Sequence, residues 1–166
     1  ERHATSKLVT AEQLEAVATL GFRGEALPSI AAVSRLTMTT RSHQAEAGRQ
    51  VELKWGRQVR AGAQGCPPGT SVEVSDLFGN LPVRRKFLKT SSTEASRVHE
   101  LVARYALAFP GIRFQLIVDG RSTLATPGND KPRETLLALY GAEVAGAMLE
   151  VSGEDPETGY RVDGFA

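Results

Sequence analysis

Apolar positions recur along this chain at two different periods, and the switches between them mark out its elements. Glu1 to Val9 has no apolar period and reads as a loop. Thr10 to Thr19 then reads as a helix, with Thr10 as N-cap, Gln13 completing a capping box and Gly21 as its stop. A second helix is predicted from Gly24 through Ala26, Leu27, Ile30, Ala31 and Val33. Pro28 is tolerated there because it falls in the first turn, where a missing N–H breaks no helical hydrogen bond. The period next shortens to two. Leu36 to Thr40 alternates as a strand, Ser42 to Gly48 makes a polar turn, Gln50 to Trp55 returns antiparallel, and further strands follow around Gln58 to Ala61 and Ser71 to Ser75.

Beyond a short basic segment, Pro82 to Leu88, the helical period resumes. Ser91-Ser92-Thr93-Glu94 reads as a capping box opening a helix whose Val98, Leu101, Val102, Tyr105 and Phe109 form one stripe, ended by Pro110 and Gly111. Ile112, Phe114, Leu116 and Val118 alternate towards an Asp119-Gly120 hairpin turn, with Arg121 to Ala125 returning. Thr126-Pro127-Gly128-Asn129-Asp130 is the candidate linker. A helix near Pro132 to Tyr140 and strands near Ala147 to Val151 and Gly159 to Phe165 complete the pattern.

Composition narrows the picture. With 166 residues, 41% hydrophobic and 23% charged, the chain is long and apolar enough to build a core. No run reaches the roughly 18 apolar residues of a membrane span, and no secretory leader opens the chain, so a soluble, cytoplasmic location and no membrane partner are expected. Both ends are expected to be cut from a longer protein, since Glu1 opens no element and the last residues stop within a strand-like alternation. The one cysteine, Cys66, excludes an internal disulfide or cysteine zinc site and has no visible base to make it a nucleophile. A net charge of +1 does not by itself announce nucleic-acid binding, so the distribution of charge matters more.

Three segments could carry chemistry. Gly21-Phe22-Arg23-Gly24-Glu25-Ala26-Leu27 sets two glycines and an arginine at a helix entry, where free amides and the positive dipole end can hold a phosphate; a tight turn is the alternative. No Gly-x-x-x-x-Gly-Lys-Ser/Thr loop is present, which disfavours a P-loop fold. Arg2-His3-Ala4-Thr5-Ser6-Lys7 reads either as a flap over anionic ligands or as a solvated loop. Arg84, Arg85, Lys86, Lys89, Arg97 and Arg104 make a dense basic stretch, either a DNA-backbone contact or a solvated helix face. His3, His43 and His99 have no metal-ligand spacing.

Taken in order, Arg2 to Lys7, Gly21 to Leu27, and Gly69-Thr70 leading into Asp76-Leu77-Phe78-Gly79-Asn80-Leu81-Pro82-Val83-Arg84-Arg85-Lys86-Phe87-Leu88-Lys89 resemble MutL-type DNA mismatch repair proteins over nearly all of residues 1 to 126. Such proteins fall in the gyrase, Hsp90, histidine kinase and MutL ATPase superfamily. The resemblance implies an α+β fold: an incomplete Bergerat-type ATP-binding domain, with helices layered on a mixed, mostly antiparallel sheet, over 1–127. The start of a ribosomal-protein-S5-like α/β domain would follow over 128–166. It implies that Thr5, Ser6 and Lys7 belong to a nucleotide lid, that Gly21, Phe22, Arg23, Gly24, Glu25, Ala26 and Leu27 contact phosphates, and that Thr70 helps hold the adenine end.

The same resemblance implies ATP and Mg2+ as cofactors of the complete protein, and DNA, a homo- or heterodimer of MutL-type subunits, and mismatch-recognition and strand-processing repair proteins as partners. The general-base glutamate and the magnesium-binding asparagine of the family match no residue here, and Glu1 and Glu25 fill neither role. No catalytic residue or metal ligand is therefore expected in this chain, which is expected to be inactive alone. A non-catalytic DNA-binding or scaffolding module is the rival expectation, and a topoisomerase subunit is disfavoured by the MutL-like Phe-Leu-Lys and Arg-His-Ala-Thr-Ser-Lys segments.

Overall fold

The structure is a computed structural model and describes Gly21 and residues 23–166. The loop expected over 1–9 and the helix expected over 10–19 lie outside the described residues. In chain order the elements are α1 (Ala26–Ala32), β1 (Arg35–Arg41), β2 (Gly48–Lys54), β3 (Arg57–Gln64), β4 (Gly69–Ser75), α2 (Pro82–Arg85), α3 (Ser91–Ala108), β5 (Gln115–Val118), β6 (Arg121–Ala125), α4 (Pro132–Ala147), β7 (Glu150–Glu154) and β8 (Arg161–Phe165). They form two compact units divided between Leu88 and Lys89. The fold is α+β, and every strand pairing among the described residues is antiparallel.

The first unit is a four-stranded sheet in the order β3-β2-β1-β4. β1 is central because its β-branched threonines suit a pleated surface paired on both edges. It pairs with β2 from Arg35↔Lys54 to Thr40↔Arg49 and with β4 from Arg35↔Ser75 to Arg41↔Gly69. Leu36, 2% exposed, joins Ala31 of α1 in a small core where the helix meets the sheet. β2 and β3 are joined by Trp55 and Gly56 alone, with φ of +52° and +78°. Positive φ at both central residues is the signature of a type I′ turn, whose twist matches that of the strands it joins.

The second unit holds α3, the β5–β6 hairpin, α4 and the β7–β8 hairpin. α3 is capped one residue earlier than its sequence suggests. The N-cap is Thr90, whose hydroxyl accepts from the Thr93 amide at 3.3 Å, while the Glu94 carboxylate accepts from the Lys89 amide at 3.0 Å. Its buried residues are Ala103 and Ala106, whereas Val98 and Leu101 of the expected stripe stay exposed. Small residues allow close approach of a neighbour, and this face, rather than the bulkier stripe, is the one covered.

Asp119 and Gly120, with φ of +49° and +76°, make the expected turn between β5 and β6. α4 runs past the expected stop at Tyr140 to Ala147, broken at Gly141, where φ 82° and ψ 171° are not helical. Residue 147 thus ends a helix, and β7 starts at Glu150. The candidate linker is stitched down. Thr126, 4% exposed, donates its amide to the Phe114 carbonyl at 2.9 Å and accepts the Phe114 amide on its hydroxyl at 3.0 Å; the Asp130 amide donates to the Pro110 carbonyl at 3.1 Å.

Candidate functional site

The segment Asp76 to Asn80 and the Trp55-Gly56 turn meet the C-terminal end of α1, and the reason lies in helix chemistry. The last carbonyls of a helix find no donor within it and must be satisfied from outside. Here they are met one after another. The Ala31 carbonyl accepts from the Gly56 amide at 2.8 Å, Ala32 from the Asn80 side-chain amide at 3.0 Å, Val33 from the Phe78 amide at 2.7 Å, and Ser34 from the Trp55 amide at 3.0 Å. The Ser34 hydroxyl donates back to the Ile30 carbonyl at 2.7 Å. This far end of α1 is therefore bolted to two loops distant in sequence.

To present these donors, the chain bends sharply. Asp76 and Phe78 have φ of +52° and +59°, conformations that side-chain-bearing residues adopt only where contacts hold them. Asp76 is held by Arg35, Nε to Oδ2 at 3.0 Å, and its carbonyl accepts from the Gly79 amide at 2.8 Å. Gly79 is required by close approach: a Cβ there would lie 2.5 Å from Cη2 of Trp55.

At the near end of α1 stands Gly24, with φ +63°. Of the residues expected to contact phosphate, Gly21, Arg23, Ala26 and Leu27 are exposed and Gly24 and Glu25 half-buried; Phe22, with Thr5, Ser6 and Lys7, lies outside the described residues. The helix begins with the Ser29 amide donating to the Glu25 carbonyl at 3.0 Å, so the amides of Ala26 and Leu27 precede the first helical bond. That chemistry fits an anionic oxygen.

Thr70 sits on β4 opposite Thr40 of β1, with hydroxyl oxygens 2.7 Å apart. Neither Thr40, Trp55 nor Asn80 was singled out by the sequence. Thr40 had a signal in the strand alternation, since pairing β1 with β4 sets it across from Gly69-Thr70. Asn80 had only its place in the Asp76 to Lys89 motif.

The six basic residues divide between the units. Arg84 and Arg85 lie on α2 with Lys86 at its C-cap, all exposed, and no carboxylate pairs with them among the described residues. Lys89, Arg97 and Arg104 fall in the second unit, where Arg97 pairs with Glu94 at 3.4 Å and Arg104 with Glu100. Both arginines that α3 contributes are thus neutralised by its own acids.

Among the described residues, the groups with shifted titration lie in the second unit. The Arg161 guanidinium, then the Ser152 hydroxyl, holds the Asp163 carboxyl below its ordinary range. Asp155 is lowered by the Thr158 hydroxyl and the Glu157 amide, and Glu134 by Lys131 and Asn129. An open groove of about 780 Å³ there is lined by Leu136, Tyr140, Val144, Met148 and Phe165 among others, and by none of the residues expected to hold nucleotide. Among the described residues no three His, Cys, Asp or Glu side chains cluster as metal ligands, and no helix is long and apolar enough to cross a membrane.

No family model matches the chain. It is 50% identical over 165 residues to the DNA mismatch repair protein MutL of Desulforudis audaxviator, covering 99% of this chain and 29% of that protein. It is 48% identical to MutL of Heliobacterium modesticaldum, covering 99% and 25%. The chain therefore spans less than a third of the length of these curated relatives. Among solved structures it is similar to the Aquifex aeolicus MutL ATPase domain complexed with ADP, with TM-score 0.72 and 36% identity over 88% of this chain and 56% of that one. It is also similar to the N-terminal domain of a DNA repair protein, with TM-score 0.74 and 28% identity over 99% and 53%.

Proposed function

Since this chain belongs, over the segment it spans, to the MutL-type family of DNA mismatch repair proteins, we propose that it supplies the lid and phosphate contacts of an ATP-binding domain. The complete protein would bind ATP with Mg2+, close its lid, dimerise through this region as a homo- or heterodimer, and clamp DNA for the cytoplasmic repair machinery, mismatch-recognition and strand-processing proteins included. Residues 1–127 would belong to that domain and 128–166 to the start of an S5-like one.

The observation that carries this reading is the bolting of α1. Two segments that resemble the family, Gly21 to Leu27 and Asp76 to Asn80, serve opposite ends of one helix: the first would offer Arg23 and the Ala26 and Leu27 amides to phosphate oxygens, while the second fixes the helix that presents them. Thr5, Ser6 and Lys7 would close over the triphosphate, and Thr70 would meet the adenine end. That the similar Aquifex aeolicus MutL ATPase domain is complexed with ADP supports a nucleotide as the ligand.

The test is nucleotide binding by the full-length protein. Arg23→Ala should weaken ATP binding, with Thr70→Ala acting on the base end. The isolated 166 residues should show no turnover, because the missing general base and metal ligand together account for several powers of ten in rate, on the order of 10²–10⁴ for the base alone. Turnover by this fragment, abolished by Arg23→Ala, would overturn the assignment.

A second reading, compatible with the first, is that the chain also grips the DNA backbone. What favours it is the exposed trio Arg84, Arg85 and Lys86, with which no carboxylate pairs among the described residues. Charge reversal at Arg84 and Lys86 should weaken DNA binding and flatten its salt dependence, by about 0.9 in log–log slope for each phosphate no longer neutralised. Reversal at Arg97 and Arg104, already paired with Glu94 and Glu100, should do less.

A further inference from the structure

β3 is an outer strand of the first unit's sheet, and all eight of its residues are exposed. An edge strand presents a row of unpaired backbone N–H and C=O groups, which proteins ordinarily blunt with charge, proline or a bulge. Here the guard covers one half of the strand. The register shifts between Glu52↔Arg60 and Leu53↔Gln58, so Val59 is an extra, bulged residue, and Arg57 and Arg60 stand on either side of it. From Val51↔Ala61 to Gly48↔Gln64 the ladder to β2 runs without a shift, and this half of β3 carries neither charge nor proline. No side chain from Ala61 to Ala63 is larger than a methyl group. Internal packing does not require the glycine at 62: its φ lies outside the left-handed region, and a Cβ there would meet nothing within 4 Å. A glycine inside a strand weakens it, and often marks the close approach of another backbone.

We infer that the outer edge of β3 takes up an extended acidic segment of a partner protein as an added strand. The backbone of Ala61 to Gln64 supplies the ladder, and the flanking charge selects what joins it. Arg49 and Lys54 on β2 and Arg57 and Arg60 on β3 face a single acid on the two strands, Glu52. Among the described residues no ion pair joins any of these four cations to a carboxylate. A second copy of β3 would bring further arginines to the seam, where like charges repel. A DNA backbone would satisfy the arginines but has no row of amides and carbonyls to complete the ladder. An acidic strand satisfies both.

The experiment measures binding of a fluorescein-labelled peptide of about eight residues, alternating glutamate and valine, to the full-length protein. Two further peptides accompany it: one with lysine for every glutamate, and one N-methylated throughout, which keeps the side chains and loses the backbone donors. The acidic peptide should bind and the other two should not. On binding, the amides of Ala61 to Gln64 should gain protection from hydrogen exchange. Arg57→Glu combined with Arg60→Glu should weaken the acidic peptide about tenfold and admit the lysine peptide. If the N-methylated peptide binds as well as its parent, the attraction is charge alone and strand addition is overturned. If the charge-reversed variant binds the acidic peptide unchanged, or protection appears away from β3, the place is wrong. If a short DNA duplex displaces the peptide and protects the same amides, the arginines serve nucleic acid and the partner is wrong. Failure of wild type to bind the acidic peptide sinks the inference outright.

Discussion

Trp55 takes φ +52° in a two-residue turn, and its indole lies over Gly79 at a distance that leaves no room for a methyl group. Gly79→Ala would set a Cβ 2.5 Å from Cη2 of the ring and 3.0 Å from the Asp76 carbonyl. Neither obstacle is a flexible chain end, so the variant should lose about 1–3 kcal/mol of stability, the usual result of overpacking. Thermal unfolding checks this, and an unchanged midpoint would mean that the turn gives way freely. Asn80→Ala removes the bond to the Ala32 carbonyl and should cost about 1 kcal/mol by the same measurement.

The carboxyls of Asp155 and Asp163 respond to pH instead. Both are held below the ordinary range, so both help stability at neutral pH, and this help is lost as pH falls through their lowered folded-state values. Carboxyl titrations followed by NMR should give inflections below the usual aspartate range, and the protection of the β7 and β8 backbone amides, relative to their intrinsic exchange at each pH, should fall in acid. Inflections at or above the ordinary value would contradict the Arg161 and Thr158 contacts.

Caps and turns decide how much of each element a sequence can disclose. The Ser91 to Glu94 pattern announced a helix and misplaced its cap, because Thr90 offers the same hydroxyl one residue earlier and Glu94 can reach the Lys89 amide. Thr90→Ala should therefore cost about 1 kcal/mol, while Ser91→Ala should be near neutral; a larger loss at Ser91 would move the cap back. Asp119-Gly120 was legible because its residue types demand the turn they make. Trp55-Gly56 was not, since tryptophan disfavours the left-handed φ it takes there, and only bonds to Ala31 and Ser34 explain it. The break at Gly141 was likewise hidden, because apolar residues continue on both sides of it. For the candidate site, the segments themselves could be read, yet nothing local reveals that Asn80 serves a carbonyl 48 residues away.

Packing divides the chain after Leu88, whereas the polar run 126–130 suggested a division after Pro127. Within the second unit Thr126 and Asp130 are bonded to Phe114 and Pro110, and Gly128, with φ +68°, lies so close to Arg113 that a Cβ would sit 2.7 Å from its Cα. Circular dichroism on separate fragments tests the point: 89–166 should unfold cooperatively on heating and 128–166 should not. Cooperative unfolding of the shorter piece would mean that 128–166 folds by itself.

The tryptophan in the turn that clamps α1 is the one tryptophan in the sequence. Its indole is half-buried, within reach of the strained Asp76 to Asn80 bend, and its amide is bonded to the residue that leaves the helix. Its fluorescence is therefore a native optical gauge of that helix. A spectrometer can follow any shift of α1 when a ligand arrives at the opposite end, without a dye and without altering a single side chain.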